Sequence, residues 1–379
     1  MINSLRIGKG LTGLRALLRV ALVSLVPFLA EAGDAFNVSS DEASGIYPVG
    51  RDIVFTVKPG EGQTLSVFEK ATAKILFNGA AEFPAEKTTS DGVMRLRIKP
   101  SLPGWYRCDV SLPVEGAKAS VASAGALVAP DAFKPPVPEP ADFDAFWSAK
   151  KALLKSAPLK FEMTPLAEAQ QASVAGNEYA DYECFSLRVE IPVKEIRPVM
   201  GYFARPKALK PGGSPALLYL RAAGVAGSWC IASPRGAMSQ AKEYGALVLD
   251  INAHGIPNDM PKEYYERLEK NELKNYASQG HDNRDAFYFV GMYLRLLRGI
   301  DFLCSRKEWD GRHLIAVGES QGGGQALAAA GLDSRVSAVS ALVPALCDFA
   351  DPDVAGWPRP LGWNAKSVVM NDETKAIAR

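Results

Sequence analysis

Gly318-Glu319-Ser320-Gln321-Gly322-Gly323 is the stretch of this chain whose residue types and spacing could do chemistry. A serine flanked two residues away on each side by glycine is the pattern of a nucleophile turn, where a strand gives way to a helix and the hydroxyl stands clear of the sheet. The glycines have a steric reason. The serine sits at a strained backbone conformation, and a side chain at Gly318 or Gly322 would strike the neighbouring strand or helix. Gly323 continues the small-residue run into that helix. A helix starting directly after Ser320 also turns its positive dipole end toward a developing negative charge. The same glycines would serve a close-packed strand–helix turn with no catalysis, so the context has to decide.

Acyl transfer needs two backbone N–H donors for the oxyanion. One would be that of Gln321, the residue after the nucleophile. The other should come from the loop after an earlier strand, and Leu220 to Gly227 (LRAAGVAG) is small and glycine-containing. Ala223 is the donor expected there. The base is harder to place. In the fold this turn announces, the partners follow in the order Ser, then Asp or Glu, then His. The chain has three histidines, His254, His281 and His313, and all precede Ser320. His254 follows a strand on the edge that carries Ser320. It reads as a hydrogen-bonding loop residue that lines the site rather than as the base. His281 sits in a polar loop, and His313 begins the nucleophile strand at the end away from Ser320. Asp348, Asp351 and Asp353 follow the serine without a histidine to orient. No histidine has a metal-ligand partner at useful spacing, and nothing in the motif calls for a cofactor.

The elements that must position these groups are legible from periodicity. Ala216-Leu217-Leu218-Tyr219-Leu220, Ala246 to Ile251 and Leu314 to Val317 are short unbroken apolar runs, as expected of strands buried on both faces of a parallel sheet. Leu187–Pro192 and Val199–Ala204 read as a strand pair. From about Asp285 to Cys304 the apolar positions Phe289, Met292, Leu296, Ile300 and Leu303 recur at helical spacing. Gly322 to Gly331 reads as a tightly packed helix after the turn. Strands alternating with helices give an α/β fold with right-handed crossovers. Asp142 is placed to cap an opening helix that runs to about Lys155. Asn258 to Gln279, with Tyr264, Tyr265 and Tyr276, reads as a solvated helix with Glu/Lys pairs; a lid or an oligomer contact is the alternative.

Upstream, residues 34–130 look all-β. Alternation shows in Ile53–Val57, Leu65–Phe68, Met94–Ile98 and Tyr106–Val110, with turn signals at Pro59-Gly60, Asn78-Gly79, Asp91-Gly92 and Pro103-Gly104. A small immunoglobulin-like β-sandwich fits this spacing, with a packing or positioning role expected ahead of sugar binding. Residues 131–141 belong to a proline-rich stretch, Pro130 to Pro140, read as an extended linker. An α/β domain from 142 to 379 follows. Residues 1–33 read as a signal peptide: Arg6, Lys9, Arg15 and Arg19 precede the apolar Val20–Ala30, and Ala30-Glu31-Ala32 has the form of a cleavage site. An uncleaved anchor is the alternative. The mature protein would be exported, periplasmic or secreted, with no integral span after cleavage.

Composition narrows the partners. Forty-three Lys and Arg nearly balance 42 Asp and Glu, so there is no basic field for nucleic acid. A neutral or small-molecule substrate fits better. The five cysteines are widely spaced with no C-x-x-C pattern. They are expected to be mostly buried apolar residues, with one bridge possible.

From about Pro138 onward the chain resembles the acetyl xylan esterase / cephalosporin C deacetylase family, carbohydrate esterase family 7. The pieces that carry the resemblance are Asp142-Phe143-Asp144-Ala145-Phe146-Trp147, Gly201-Tyr202-Phe203-Ala204-Arg205-Pro206, Tyr293 through Leu303, the Gly-Glu-Ser-Gln-Gly-Gly turn, and Pro344 through Phe349. The resemblance implies an α/β-hydrolase that removes acetyl groups from xylo-oligosaccharides and small esters. It implies Ser320 as nucleophile and Gln321 and Ala223 at the oxyanion hole. Hexamers occur in the family, so a homo-oligomer is possible. Two departures stand out. The family's Arg-Gly-Gln element is Asn252-Ala253-His254 here. Its catalytic Asp and His belong to a segment beyond Arg379, so the expected hydrolase domain would run about 70–90 residues further. Two other readings remain: a non-catalytic binding protein on this fold, and a prolyl-oligopeptidase-type peptidase without its propeller.

Overall fold

The computed structural model describes residues 36–60, 70–79, 81–113, 119–133, 139–167, 177–280 and 282–347. The segment 1–33, the strand expected at Leu65–Phe68, His281, and Asp348, Asp351 and Asp353 lie outside the described residues. The chain falls into two compact units that divide between Pro136 and Val137.

The first unit is built of short strands in two sheets. These are β1 (Phe36–Ser40), β2 (Ile46–Tyr47), β3 (Ile53–Pro59), β4 (Thr72–Phe77), β5 (Ala81–Phe83), β6 (Glu86–Ser90), β7 (Val93–Ile98), β8 (Gly104–Leu112) and β9 (Ser120–Val128). One sheet runs β1-β3-β7-β6 and the other β2-β9-β8-β4-β5. Alternate residues face inward, as period-2 side chains must. Ile53, Phe55, Val57, Met94, Leu96 and Ile98 of one sheet share a single core with Tyr47, Ile75, Tyr106, Cys108, Val110 and Val128 of the other. That shared core makes the unit a β-sandwich. Asp91 and Gly92 both take positive φ (51° and 78°) between β6 and β7. This two-residue hairpin geometry matches the strand twist. The extended linker is corrected at its start: Pro130–Ala132 forms a 3-10 turn.

The second unit is an α/β layer structure around a seven-stranded sheet. Its strands are β10 (Phe161–Pro165), β11 (Tyr182–Val189), β12 (Val199–Pro206), β13 (Ser214–Leu220), β14 (Leu247–Ile251), β15 (Trp309–Glu319) and β16 (Ala338–Leu342). The order is β10-β11-β12-β14-β13-β15-β16. β11 and β12 pair antiparallel, and β14, β13, β15 and β16 run parallel. Helices α1 (Phe143–Lys155), α2 (Pro234–Tyr244), α3 (Lys262–Lys270), α4 (Tyr288–Cys304) and α5 (Gln321–Leu332) accompany the sheet. Leu218 and Leu220 of β13 pack in one core with α1, α4 and α5. Leu217 packs in another with Ala237, Met238 and Ala241 of α2. Both faces of the strand are therefore apolar, which is why its sequence does not alternate.

Local signals account for some helix ends. Ser233 caps α2 by accepting from the Gly236 N–H at 3.0 Å, with Pro234 first in the helix and Gly245 at φ 59° beyond its end. Asp142 stands at the cap position of α1, but its side chain makes no capping bond. It pairs with Arg284 at 2.8 Å instead, so that expectation is corrected. No disulfide joins the five cysteines. Burial pushes the thiols of Cys108 and Cys184 up to about 12.

Candidate active site

Ser320 follows β15 and stands at the cap position of α5, with φ 54° and ψ −118°. This left-handed conformation costs a non-glycine residue about 1–3 kcal/mol and persists only where surroundings over-determine it. Here they do. The Ser320 N–H donates to the Leu342 carbonyl at 2.9 Å, and its own carbonyl accepts from Ala345 at 2.8 Å and Gly324 at 3.1 Å. The strand edge β16 and the loop after it thus grip the serine on both sides. Its side chain is partly exposed.

The glycines around it have no room to be anything else. A Cβ on Gly318 would lie 2.3 Å from the Gly322 carbonyl group, and one on Gly322 would lie 2.2 Å from the Leu220 carbonyl oxygen. One on Gly323 would approach the Leu342 carbonyl at 2.9 Å. The turn therefore packs directly on the end of β13, whose Leu220 pairs in register with Gly318. The loop that carries Ala223 begins there.

That loop is pinned at several points. Arg221 forms a two-pronged pair with Asp250, which is fully buried at the end of β14. Burial raises the Asp250 carboxyl above the usual carboxylate range, against the pull of Arg221. The Ala223 carbonyl accepts from the Trp229 indole at 2.9 Å, and the Gly224 carbonyl accepts from His254 Nε2 at 2.9 Å. With their carbonyls engaged by donors, the backbone orientation of Ala223 and Gly224 is set. Among the described residues, the N–H groups of Ala223 and Gln321 have no protein acceptor.

His254 lies 2% exposed within this arrangement. A carbonyl can only accept, so Nε2 carries the ring proton. Nδ1 then accepts from the Tyr288 hydroxyl at 2.7 Å. Burial, reinforced by Arg295, pulls its pKa down to about 3. The ring is neutral with both nitrogens engaged, so it holds the loop rather than taking a proton from Ser320. His313 is bonded to Asp310 at 2.6 Å near the start of β15. His254 has both ring nitrogens engaged, and His313 lies toward the end of β15 away from Ser320, so neither described histidine is placed to act as its base.

Residues 129–352 match the family model for acetyl xylan esterase (AXE1), more than half of the chain. The chain belongs to the acetyl xylan esterase family. The acetyl esterase Axe7A of Xylanibacter ruminicola is 31% identical over 266 residues, covering 68% of this chain and 55% of that protein. The chain thus spans about half the length of this curated relative. An acetyl xylan esterase structure from Paenibacillus sp. R4 is 24% identical with a TM-score of 0.49, over 65% of this chain and 75% of that one. One from Thermoanaerobacterium sp. is 20% identical with a TM-score of 0.48, over 64% and 73%.

In this member of the acetyl xylan esterase family, the element Asn252-Ala253-His254 is a buried polar knot. Asn252 accepts from the Ala232 N–H at 2.7 Å and donates to the Ile256 carbonyl and to Asn258. Asn258 in turn donates to the Gly201 carbonyl and to Ser186. This network ties the end of β14 to β12. The solvated helix expected over Asn258–Gln279 is corrected in part. Lys262–Glu266 is a surface pair on α3, yet Tyr265, Leu268 and Tyr276 are buried. Tyr276 donates its hydroxyl to Gln321 Oε1 at 2.6 Å and lies edge-on to the His254 ring, 4.4 Å between centroids. Tyr288, Arg221 and Asp250 carried no sequence signal, and Tyr276 none that pointed to Gln321. Each acts through a partner that is distant in the chain.

Proposed function

We propose that this protein is a serine carboxylester hydrolase that removes acetyl groups from xylan-type oligosaccharides or similar small acetyl esters. Membership of the acetyl xylan esterase family supports the substrate class. The observation that carries the mechanism is Ser320 held at φ 54° on a strand–helix turn that packs on the end of β13, where the Ala223 loop begins. Ser320 Oγ attacks the acetyl carbonyl, and its proton passes to a base. The N–H groups of Gln321 and Ala223 receive the oxyanion of the tetrahedral intermediate. The sugar hydroxyl leaves with a proton, and water then cleaves the acetyl-enzyme to acetate. The base is neither His254 nor His313.

A second reading, a non-catalytic protein that keeps the fold, is favoured by the engagement of both His254 nitrogens and by the remote place of His313 on β15. One experiment separates the two. Hydrolysis of p-nitrophenyl acetate is measured for the 379-residue chain and for Ser320→Ala, with and without added imidazole as an external base. Because losing the base typically costs about 10⁴-fold, the chain alone should exceed the Ser320→Ala control by less than about tenfold. Imidazole should then add a Ser320-dependent increment. No such increment would sink the nucleophile assignment. Strong Ser320-dependent turnover without imidazole would show that the chain carries its own base.

The domain and export readings stand with this proposal. Residues 34–130 would position the esterase domain 142–379 through the stretch 131–141, and residues 1–33 would direct export. Among the described residues no helix is long and apolar enough to cross a membrane. N-terminal sequencing of protein secreted from a bacterial host should begin near Gly33; an intact Met1 would count against export by cleavage.

A further inference from the structure

Arg295, on α4, is a buried cation without a counter-ion. It is 4% exposed. Its Nε donates to the Ala253 carbonyl at 2.8 Å, and the Tyr288 phenol, the His254 ring and a second arginine, Arg197, are polar groups near it. Among the described residues it makes no ion pair. Burial pulls its pKa down to about 10, which leaves it charged at neutral pH. A buried charge is expensive unless it is paired. Arg197 is half-satisfied in the same place. Its Nη2 pairs with Glu272 at 2.7 Å, while its Nη1 is buried with no acceptor. Two like charges thus lie near one another, one without an ion-pair partner among the described residues and the other with a buried donor unmet.

Both arginines line a cleft of about 500 Å³. That size suits a small molecule. Val193, Ile196, Phe287 and Leu294 contribute apolar wall. The acidic groups along it do not answer Arg295. Glu272 is engaged by Arg197 and Asp285 by Lys150 at 2.6 Å, and Glu195 is solvent-exposed. Gly291, one turn before Arg295 on α4, brings no side chain of its own to the guanidinium: a Cβ there would stand 3.9 Å from Arg295 Nη1 and 3.6 Å from Ile196.

We propose that this cleft binds a small oxyanion, the carboxylate of an organic acid or an inorganic phosphate, between Arg295 and Arg197. A guanidinium offers planar, paired N–H donors that match two oxygens of either group. The anion would supply the counter-charge that Arg295 lacks and an acceptor for Arg197. His254 and Tyr288 also border the cleft, so the site lies next to the bonds that hold the Ala223 loop. It does not depend on Ser320 chemistry.

Titration calorimetry on the 379-residue protein tests this, with sodium acetate, sodium glucuronate and sodium phosphate as separate ligands at constant ionic strength set by sodium chloride. At least one should give a saturable one-to-one isotherm, and the choice among the three distinguishes an organic acid from phosphate. Arg295→Met should weaken that binding tenfold or more, and Arg197→Gln should weaken it as well. Arg197 has a partly exposed side chain, so its variant carries the test if Arg295→Met does not fold. Absence of binding by all three salts would overturn the proposal. So would affinity unchanged in the variants.

Discussion

The Tyr276 phenol donates to Gln321 Oε1 over 2.6 Å, across 45 residues of chain. Gln321 is 2% exposed, and among the described residues its Nε2 has no partner. The tyrosine therefore supplies the hydrogen bond that fixes the first side chain of α5, next to Ser320. Tyr276→Phe removes that donor and leaves the Gln321 oxygen buried and unpaired, which should cost about 1–3 kcal/mol. A urea titration against the parent measures it. An unchanged midpoint would mean that Gln321 finds another partner.

The strain at Ser320 is a stability statement. Glycine adopts φ 54° freely, so Ser320→Gly should release strain that Ser320→Ala retains. Strain relief of about 1–3 kcal/mol exceeds the added chain entropy of about 0.4–1 kcal/mol, so the glycine variant should be the more stable of the two by about 1 kcal/mol. Thermal unfolding of both variants, compared side by side, decides it.

Gly322→Ala should be among the most damaging single-methyl changes in the chain. The added carbon would lie 2.2 Å from the Leu220 carbonyl oxygen, and both sides of that contact are backbone with no rotamer to move. Overpacking of this kind should cost about 3 kcal/mol or more. Gly331→Ala is the control, because nothing lies within 4 Å of a Cβ there. Circular dichroism melts should separate them clearly.

Arg221→Met leaves Asp250 fully buried with its main counter-charge gone. Loss of one partner from a buried pair should cost about 3–5 kcal/mol. Because Arg221 starts the Ala223 loop, hydrogen exchange in residues 221–230 should rise with it. Stability loss without faster exchange there would separate the ion pair from loop positioning.

His254 makes stability depend on pH. Its folded pKa is depressed to about 3 from an ordinary 6.5. Between those values the unfolded chain binds a proton that the folded chain refuses. This contribution is therefore fully present above about pH 6.5 and declines as pH falls toward 3, by about 1.4 kcal/mol per pH unit. The unfolding free energy should drop between pH 6.5 and 4.5, and His254→Gln should flatten that slope. A parallel slope in the variant would assign it to other groups.

The serine turn, the buried parallel strands, the long helix and the alternating strands of the sandwich were legible because each depends on residues near one another in sequence. Period-2 and period-3.6 patterns and glycine sterics are local properties, and the strands around Ser320 appear where those patterns place them. The Asp142 cap failed for a non-local reason: Arg284, far along the chain, offers its carboxylate a better partner. The reading of Asn258–Gln279 as a solvated helix failed in the same way, since Tyr276 looks like any surface tyrosine until the fold brings it to Gln321.

The sequence by itself determined that there is a strand–helix turn, which serine occupies it, and why its neighbours are glycines. Tertiary structure alone decided the role of His254. Its ring is held by the Gly224 carbonyl and the Tyr288 hydroxyl, groups 30 and 34 residues away. Burial beside Arg295 keeps it neutral. Protonation state and hydrogen-bond direction depend on what surrounds a side chain in space, and one-dimensional spacing does not carry that information.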